Sequence, residues 1–188
     1  MPTANARNTT NAAVTVVADG WWALSDSASY YPDDLPADWQ LGYFANEHPG
    51  AYISAVDWCA DAVLLLHEWR DAVPESFRFF LECPPANAPK DLLQQAIAAL
   101  HGQLGGWVRW TAPGAPGLLL RPTADEAAVW GRAVNCPQTL MADLRAGARW
   151  LREQAAAAPA TLVILPQPRT AQLAAWRQMQ QLLGLAEI

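Results

Sequence analysis

The chain has 188 residues, and 12 Lys and Arg against 18 Asp and Glu leave a formal charge of −6. Apolar residues make up 52% and charged residues 16%, which excludes a disordered chain, because disorder needs low hydrophobicity with high charge. No apolar run approaches the ~18 residues of a membrane span, and the acidic balance argues against nucleic acid, whose binding needs basic residues to displace counterions.

Residues 1–11 lack any hydrophobic period and read as a flexible tail, with residues 12–188 as a single α/β domain. Ala13–Ala18 is short and rich in β-branched residues, a first strand. Tyr31–Pro36 is a turn leading into a helix over Trp39–Glu47. Ala51–Val56 is a second strand, Ala60–Val73 a helix, and Phe77–Glu82 a third strand stopped by Pro84 and Pro85. From Pro89 to Leu104 the spacing of Leu93, Ile97, Leu100 and Leu104 puts one apolar stripe on a helix.

Trp107–Trp110 and Leu118–Arg121 are a fourth and a fifth strand, separated by the loop Pro113–Gly117. That loop is too short for a crossover helix, so the two strands are an antiparallel exception. Thr123–Glu126 has the form of a capping box. Pro137 opens a long helix that ends at Pro159, Thr161–Leu165 is a sixth strand, and a last helix carries Leu173, Trp176, Met179 and Leu183 before Gly184. Alternating apolar strands and amphipathic helices predict an α/β fold with a mainly parallel sheet and outer helices.

The stretch Tyr30–Ala45, with its Tyr-Tyr-Pro turn, its Leu35-Pro36 step and a helix ending in Tyr43-Phe44-Ala45, resembles the entry segment of the YecE-like family of uncharacterised bacterial proteins. Gly20-Trp21 is similar to that family's Gly-Trp after its first strand. Phe77-Arg78-Phe79, approached through Pro74, is similar to its third strand. The resemblance implies a TIM-barrel-like fold. The chain departs from the family in having Ala51-Tyr52-Ile53-Ser54 where a Glu and an Asn are expected, so that pocket should lack polar groups on strand two. The family is also longer, so the likeness implies a shortened, incomplete or opened barrel of about six strands, closed by a second copy.

In parallel α/β folds ligands gather at the carboxyl ends of the strands. Those ends hold Asp19, Trp21 and Trp22 after the first strand, Asp57 after the second and Glu82 after the third. Arg109 follows the fourth, Arg121 the fifth, and Gln167 and Arg169 the sixth. Asp19 and Glu82 are the candidate catalytic acids, and Arg121 with Arg169 a candidate clamp for a carboxylate or phosphate. Trp21, Trp22, Asp57, Arg109 and Gln167 complete the candidate ligand contacts.

No phosphate-binding glycine loop and no nucleophile elbow occurs in the sequence. His48, His67 and His101 lack metal spacing, so no metal and no cofactor is expected. His67 and Asp71 form an i,i+4 pair. Cys59, Cys83 and Cys136 have no paired spacing, and with no secretory signal visible they imply a reducing, cytoplasmic setting. Cys136-Pro137 stands where a helix start would lower a thiol pKa, although a small residue beside a helix is the plainer reading.

Ten tryptophans are the compositional oddity. Trp21, Trp22, Trp58, Trp107 and Trp110 fit an aromatic pocket or a partner surface, and those on helices fit the core. The sequence therefore predicts a non-catalytic binding or interaction module, a homodimer by its low charge and aromatic excess, taking a small anionic or sugar-like ligand. The alternative is an enzyme acting on a sugar or phosphorylated metabolite.

Overall fold

The computed structural model describes residues 13–60, 62–123 and 128–188. Seven strands close into a barrel in the order β1 to β7. The strands are β1 (Ala13–Asp19), β2 (Gly50–Ile53), β3 (Arg78–Glu82), β4 (Leu104–Arg109), β5 (Gly117–Leu120), β6 (Val129–Asn135) and β7 (Ala160–Leu165). The helices are α1 (Ser27–Tyr30), α2 (Gln40–Ala45), α3 (Ala55–Trp58), α4 (Ala62–Asp71), α5 (Leu92–Leu100), α6 (Gln138–Met141), α7 (Leu144–Ala156) and α8 (Thr170–Leu182).

Neighbouring strands are parallel except at β5, which runs antiparallel to both β4 and β6. The short loop between β4 and β5 imposes that reversal, as its length predicts. The expected six-stranded, opened barrel is corrected: β6 is the strand that the sequence concealed, and with it the sheet closes within one chain. Val129-Trp130-Gly131-Arg132 has a glycine and an arginine where a buried strand would be apolar, so its pattern is not strand-like. The glycine has a packing cause. A Cβ on Gly131 would collide with the carbonyl of Ala160 and lie 2.8 Å from its methyl, so only glycine lets β6 come this close to β7.

Other boundaries shift for local reasons. The second strand stops at Ile53, because Ser54 and Asp57 turn the chain into α3. The long helix expected after Pro137 is broken into α6 and α7, since Asp143 caps a fresh start by accepting from the N–H groups of Arg145 and Ala146. Gly184 has φ of 67° just beyond α8, the left-handed terminator the sequence implies. The expected tail at 1–11 and most of the capping box at 123–126 lie outside the described residues.

The core has two parts because strand side chains alternate. Val17, Tyr52, Phe80, Val108, Leu119, Ala133, Leu162 and Ile164 fill the barrel lumen. The intervening positions, among them Val16, Ile53, Phe79, Leu81, Trp107 and Val163, pack outward with Trp58, Leu66, Leu100 and Trp176 from the helices. The lumen is thus a solid core, and any ligand site must lie at an end.

Candidate functional site

The inward alternation sets what each strand offers at its carboxyl end. One step beyond Val17 stands Asp19, beyond Phe80 stands Glu82, beyond Val108 stands Trp110, and beyond Ala133 stands Asn135. Tyr52, one register position from the end of β2, pairs with Asp19 across the β1–β2 ladder. These residues form the floor of the mouth.

Their hydrogen bonds run in a chain. The Trp110 indole N–H donates to the Tyr52 hydroxyl at 2.9 Å, and that hydroxyl donates to Glu82 Oε2 at 3.2 Å. The N–H of Ala55 donates to the same oxygen at 2.9 Å, and the Trp58 indole donates to the Glu82 carbonyl at 3.0 Å. Glu82 is therefore held through one carboxylate oxygen and its backbone. Asp57, bonded by the Ser54 hydroxyl, sits on α3 beside it. Burial raises the Asp19 carboxyl to about 6, helped by the negative charges of Asp57 and then Glu82. Burial likewise pushes the Tyr52 phenol well up, so it stays a neutral donor.

Beside the mouth lies a cleft of about 670 Å³ whose lining includes Glu82, Pro84, Pro85, Lys90, Arg109 and Trp110. It opens between the loop that follows β3 and the end of β4.

The structure brings Asp19, Asp57 and Glu82 together at one end, with Arg109 in the adjoining cleft. It separates the predicted clamp. Because β5 is reversed, its carboxyl end lies at the opposite rim, where Arg121 stacks 5.2 Å above the Trp130 ring. Arg169 stays at the mouth side as the residue before α8, with its N–H bonded to Gln172. No single ligand group spans from Arg121 to Arg169. Gln167 is exposed on a left-handed turn with φ of 46°.

Of the two tryptophans after the first strand, Trp21 packs away from the mouth. Trp21 is buried in the outer core, its ring 4.5 Å from Trp22 and 4.9 Å from Trp69. Trp22 is partly exposed, with its ring against Gly20, the residue after Asp19. Trp58 and Trp107 are buried, 5.9 Å apart, and Trp110 lines the cleft. Trp39, expected in the core, is 65% exposed on the turn before α2.

Sequence reasoning passed over Tyr52 and Lys90. The expectation of a second strand without polar groups in the pocket is corrected, since the phenol of Tyr52 reaches in at the level where a polar group was missing. A tyrosine inside an apolar strand is the signal that marked it, because a buried phenol seeks a partner. Other expectations change too. Burial raises the Cys136 thiol to about 12, the reverse of activation by a helix start. Asp71 pairs with Arg70 at 2.7 Å, where a contact with His67 was expected. His48 is buried against Phe44, and burial, aided by the Arg177 charge, pushes its pKa down to about 4. Among the described residues no group of three or more His, Cys, Asp and Glu side chains is arranged for a metal ion. No described helix is long and apolar enough to cross a membrane.

No family model matches the chain, and no curated protein matches it. Among solved structures, the chain is similar to a DUF72 family protein from Enterococcus faecalis, at 11% identity over 93% of this chain and 98% of that one, with a TM-score of 0.46.

Proposed function

We propose that this chain is a small-molecule-binding barrel that holds a polyhydroxylated, sugar-like ligand at the mouth without transforming it. The observation that carries the reading is the hydrogen-bonded chain from Trp110 through Tyr52 to Glu82. It locks one carboxylate oxygen and, among the described residues, leaves the other for a ligand hydroxyl, beside an aromatic ring on which a sugar's C–H face can rest. Asp19 and Asp57 add further acceptors next to it. An apolar lumen with a few convergent polar groups at its end is the usual form of a small-molecule site.

One observation favours a second reading, an enzyme acting on the same class of ligand. Asp19 titrates at about 6, near ordinary working pH, beside two other carboxylates, as a general acid or base does. The variant Asp19→Asn separates the readings. With saturable sugar binding measured by calorimetry, a pure binding module gives no product with either wild type or variant. An enzyme gives product that the variant no longer forms. Absence of saturable binding across a panel of monosaccharides, disaccharides and polyols overturns both.

Distant kinship with the YecE-like family, a single folding unit over 12–188 and residence in a reducing cytoplasm belong to the same proposal, the last supported by three cysteines without paired spacing in the sequence. So does a homodimer, but its support has moved. The barrel closes without a second copy, which leaves the exposed Trp39, Val56 and Leu64 as the surface that favours one. Sedimentation over a range of concentrations tests it, and a monomer throughout overturns it.

A further inference from the structure

We propose that a second copy of this chain docks head-to-tail on the outside of the barrel, laying the arginine stripe of its α7 along the acidic, tryptophan-edged groove between α2 and α4. The inference rests on the association of copies proposed above and names the two surfaces that meet.

The groove holds about 740 Å³, and its lining includes Asp38, Trp39, Tyr43, Glu68 and Asp71. Leu64, Glu68 and Asp71 are spaced i, i+4, i+7 on α4 and all three are exposed, so they form one outward stripe beside the groove. Asp71 already holds Arg70 at 2.7 Å, and among the described residues neither Asp38 nor Glu68 makes an ion pair. Exposed Trp39 and Leu64 set apolar surface beside these carboxylates, the mixed character of a partner site.

The complement lies on the same chain. Arg145, Arg149 and Arg152 have the same i, i+4, i+7 spacing on α7, opposite its buried Gly147, Leu151 and Ala155. All three arginines are exposed, and among the described residues none forms an ion pair. The chain has only 12 Lys and Arg and a net charge of −6, so cationic surface is scarce, and this one helix face gathers three of its arginines. Leu144, also exposed, gives the stripe an apolar neighbour to set against Leu64. Each stripe runs about 10 Å along its helix, so the two match in length. A guanidinium pairs with a carboxylate through a planar fork and stacks on an indole, and the groove offers both. The two surfaces cannot meet within one copy. Between them stands α8, which packs on α7 and is tied to the end of α2 by Arg177, whose Nη1 donates to the Glu47 carbonyl at 2.9 Å. Each copy therefore gives its stripe to one neighbour and its groove to another. A dimer forms first, and longer species follow with concentration unless a ring closes.

Sedimentation of the full chain from about 5 µM to about 500 µM tests the proposal. The wild type is expected to associate as concentration rises, with an association constant that falls about tenfold when salt goes from about 0.05 M to about 0.5 M. The double variant Arg149→Glu, Arg152→Glu and, separately, the double variant Asp38→Lys, Glu68→Lys should each sediment as a monomer, since like charges then face each other. All four positions are exposed, and Arg149→Ala alone, which should weaken association severalfold, serves if a reversal melts early. Mixed in equal amounts, the two reversed variants should associate again, because the unchanged stripe of one still meets the unchanged groove of the other. If both reversals associate like the wild type, this docking is wrong while the association of copies stands. If the mixture stays monomeric, the two surfaces do not meet and the docking is wrong. If the wild type is a monomer at every concentration and salt, the association itself fails, this inference with it, and the groove is left to a basic partner of another sequence.

Discussion

At the mouth, the inward positions just beyond the packed lumen carry Asp19, Glu82 and Trp110, each partly exposed. At the opposite end the inward hydroxyl of Thr15 accepts the Ile188 N–H at 2.9 Å, and Ile188 and Trp130 pack onto the lumen. Ala186 bridges to Ala13 there, and Arg121 lies over the Trp130 ring. The same strands run through both ends, so the difference arises from what the chain adds beyond them. One end is sealed by backbone pairing and apolar side chains, and the other gathers the carboxylates of Asp19, Asp57 and Glu82. The sealed end serves stability, and the open end gives up some of it by holding Asp19 partly buried beside other carboxylates.

Adding bulk at the sealed end should have the largest effect. Gly131→Val puts atoms where the Ala160 carbonyl and methyl already sit, and the expected cost is about 3–5 kcal/mol, seen as loss of soluble protein or a collapse of the melting temperature. A variant that melts with the wild type would mean that β6 and β7 are not packed as described.

Removing the seal should come next. Deleting residues 186–188 exposes part of the lumen and strips the partner from Thr15, with an expected loss of about 2 kcal/mol in chemical denaturation. Ligand affinity at the mouth should not change, and a parallel fall in affinity would show that the ends are not independent.

At the mouth the sign reverses. The folded Asp19 carboxyl titrates at about 6 against an ordinary 3.8. Between those values the native state keeps a proton that the unfolded chain has released, so stability falls as pH rises through this window and stays lower above it. Asp19→Asn removes that penalty. With allowance for solvent screening of a half-buried side chain, the gain at pH 8 is about 1 kcal/mol, or about 2–4 °C in melting temperature. The difference should vanish toward pH 4, and a pH-independent difference would mean that the strain is not electrostatic.

The smallest effect is at Tyr52→Phe, which cuts the link between Trp110 and Glu82. The expected stability loss is about 1 kcal/mol. Sugar affinity should fall further than stability does, because Glu82 is no longer oriented. Unchanged affinity would remove Tyr52 from the site.

Much of the scaffold was legible. β1, β3, β4 and β7 are apolar segments punctuated by Asp, Pro or Gly, and the short loop at 113–117 announces the reversed strand. Two kinds of feature were not. Gly131 and Arg132 make β6 look like a loop, because a strand chosen for close approach to its neighbour carries no hydrophobic signature. Arg121 looked like a rim residue because strand ends were counted as if every strand pointed the same way, and one reversal moves an end across the barrel.

Local chemistry written in the chain order settled most of the strands and helices, and that Asp19, Asp57 and Glu82 follow strand ends: periodicity, caps and proline act over a few residues. Closure of the ring, the bonding of one Glu82 oxygen by Tyr52 and Ala55, and the gathering of Asp19, Asp57 and Glu82 depend on residues tens of positions apart. Their meeting is decided by strand register and barrel curvature, which no short stretch of sequence contains.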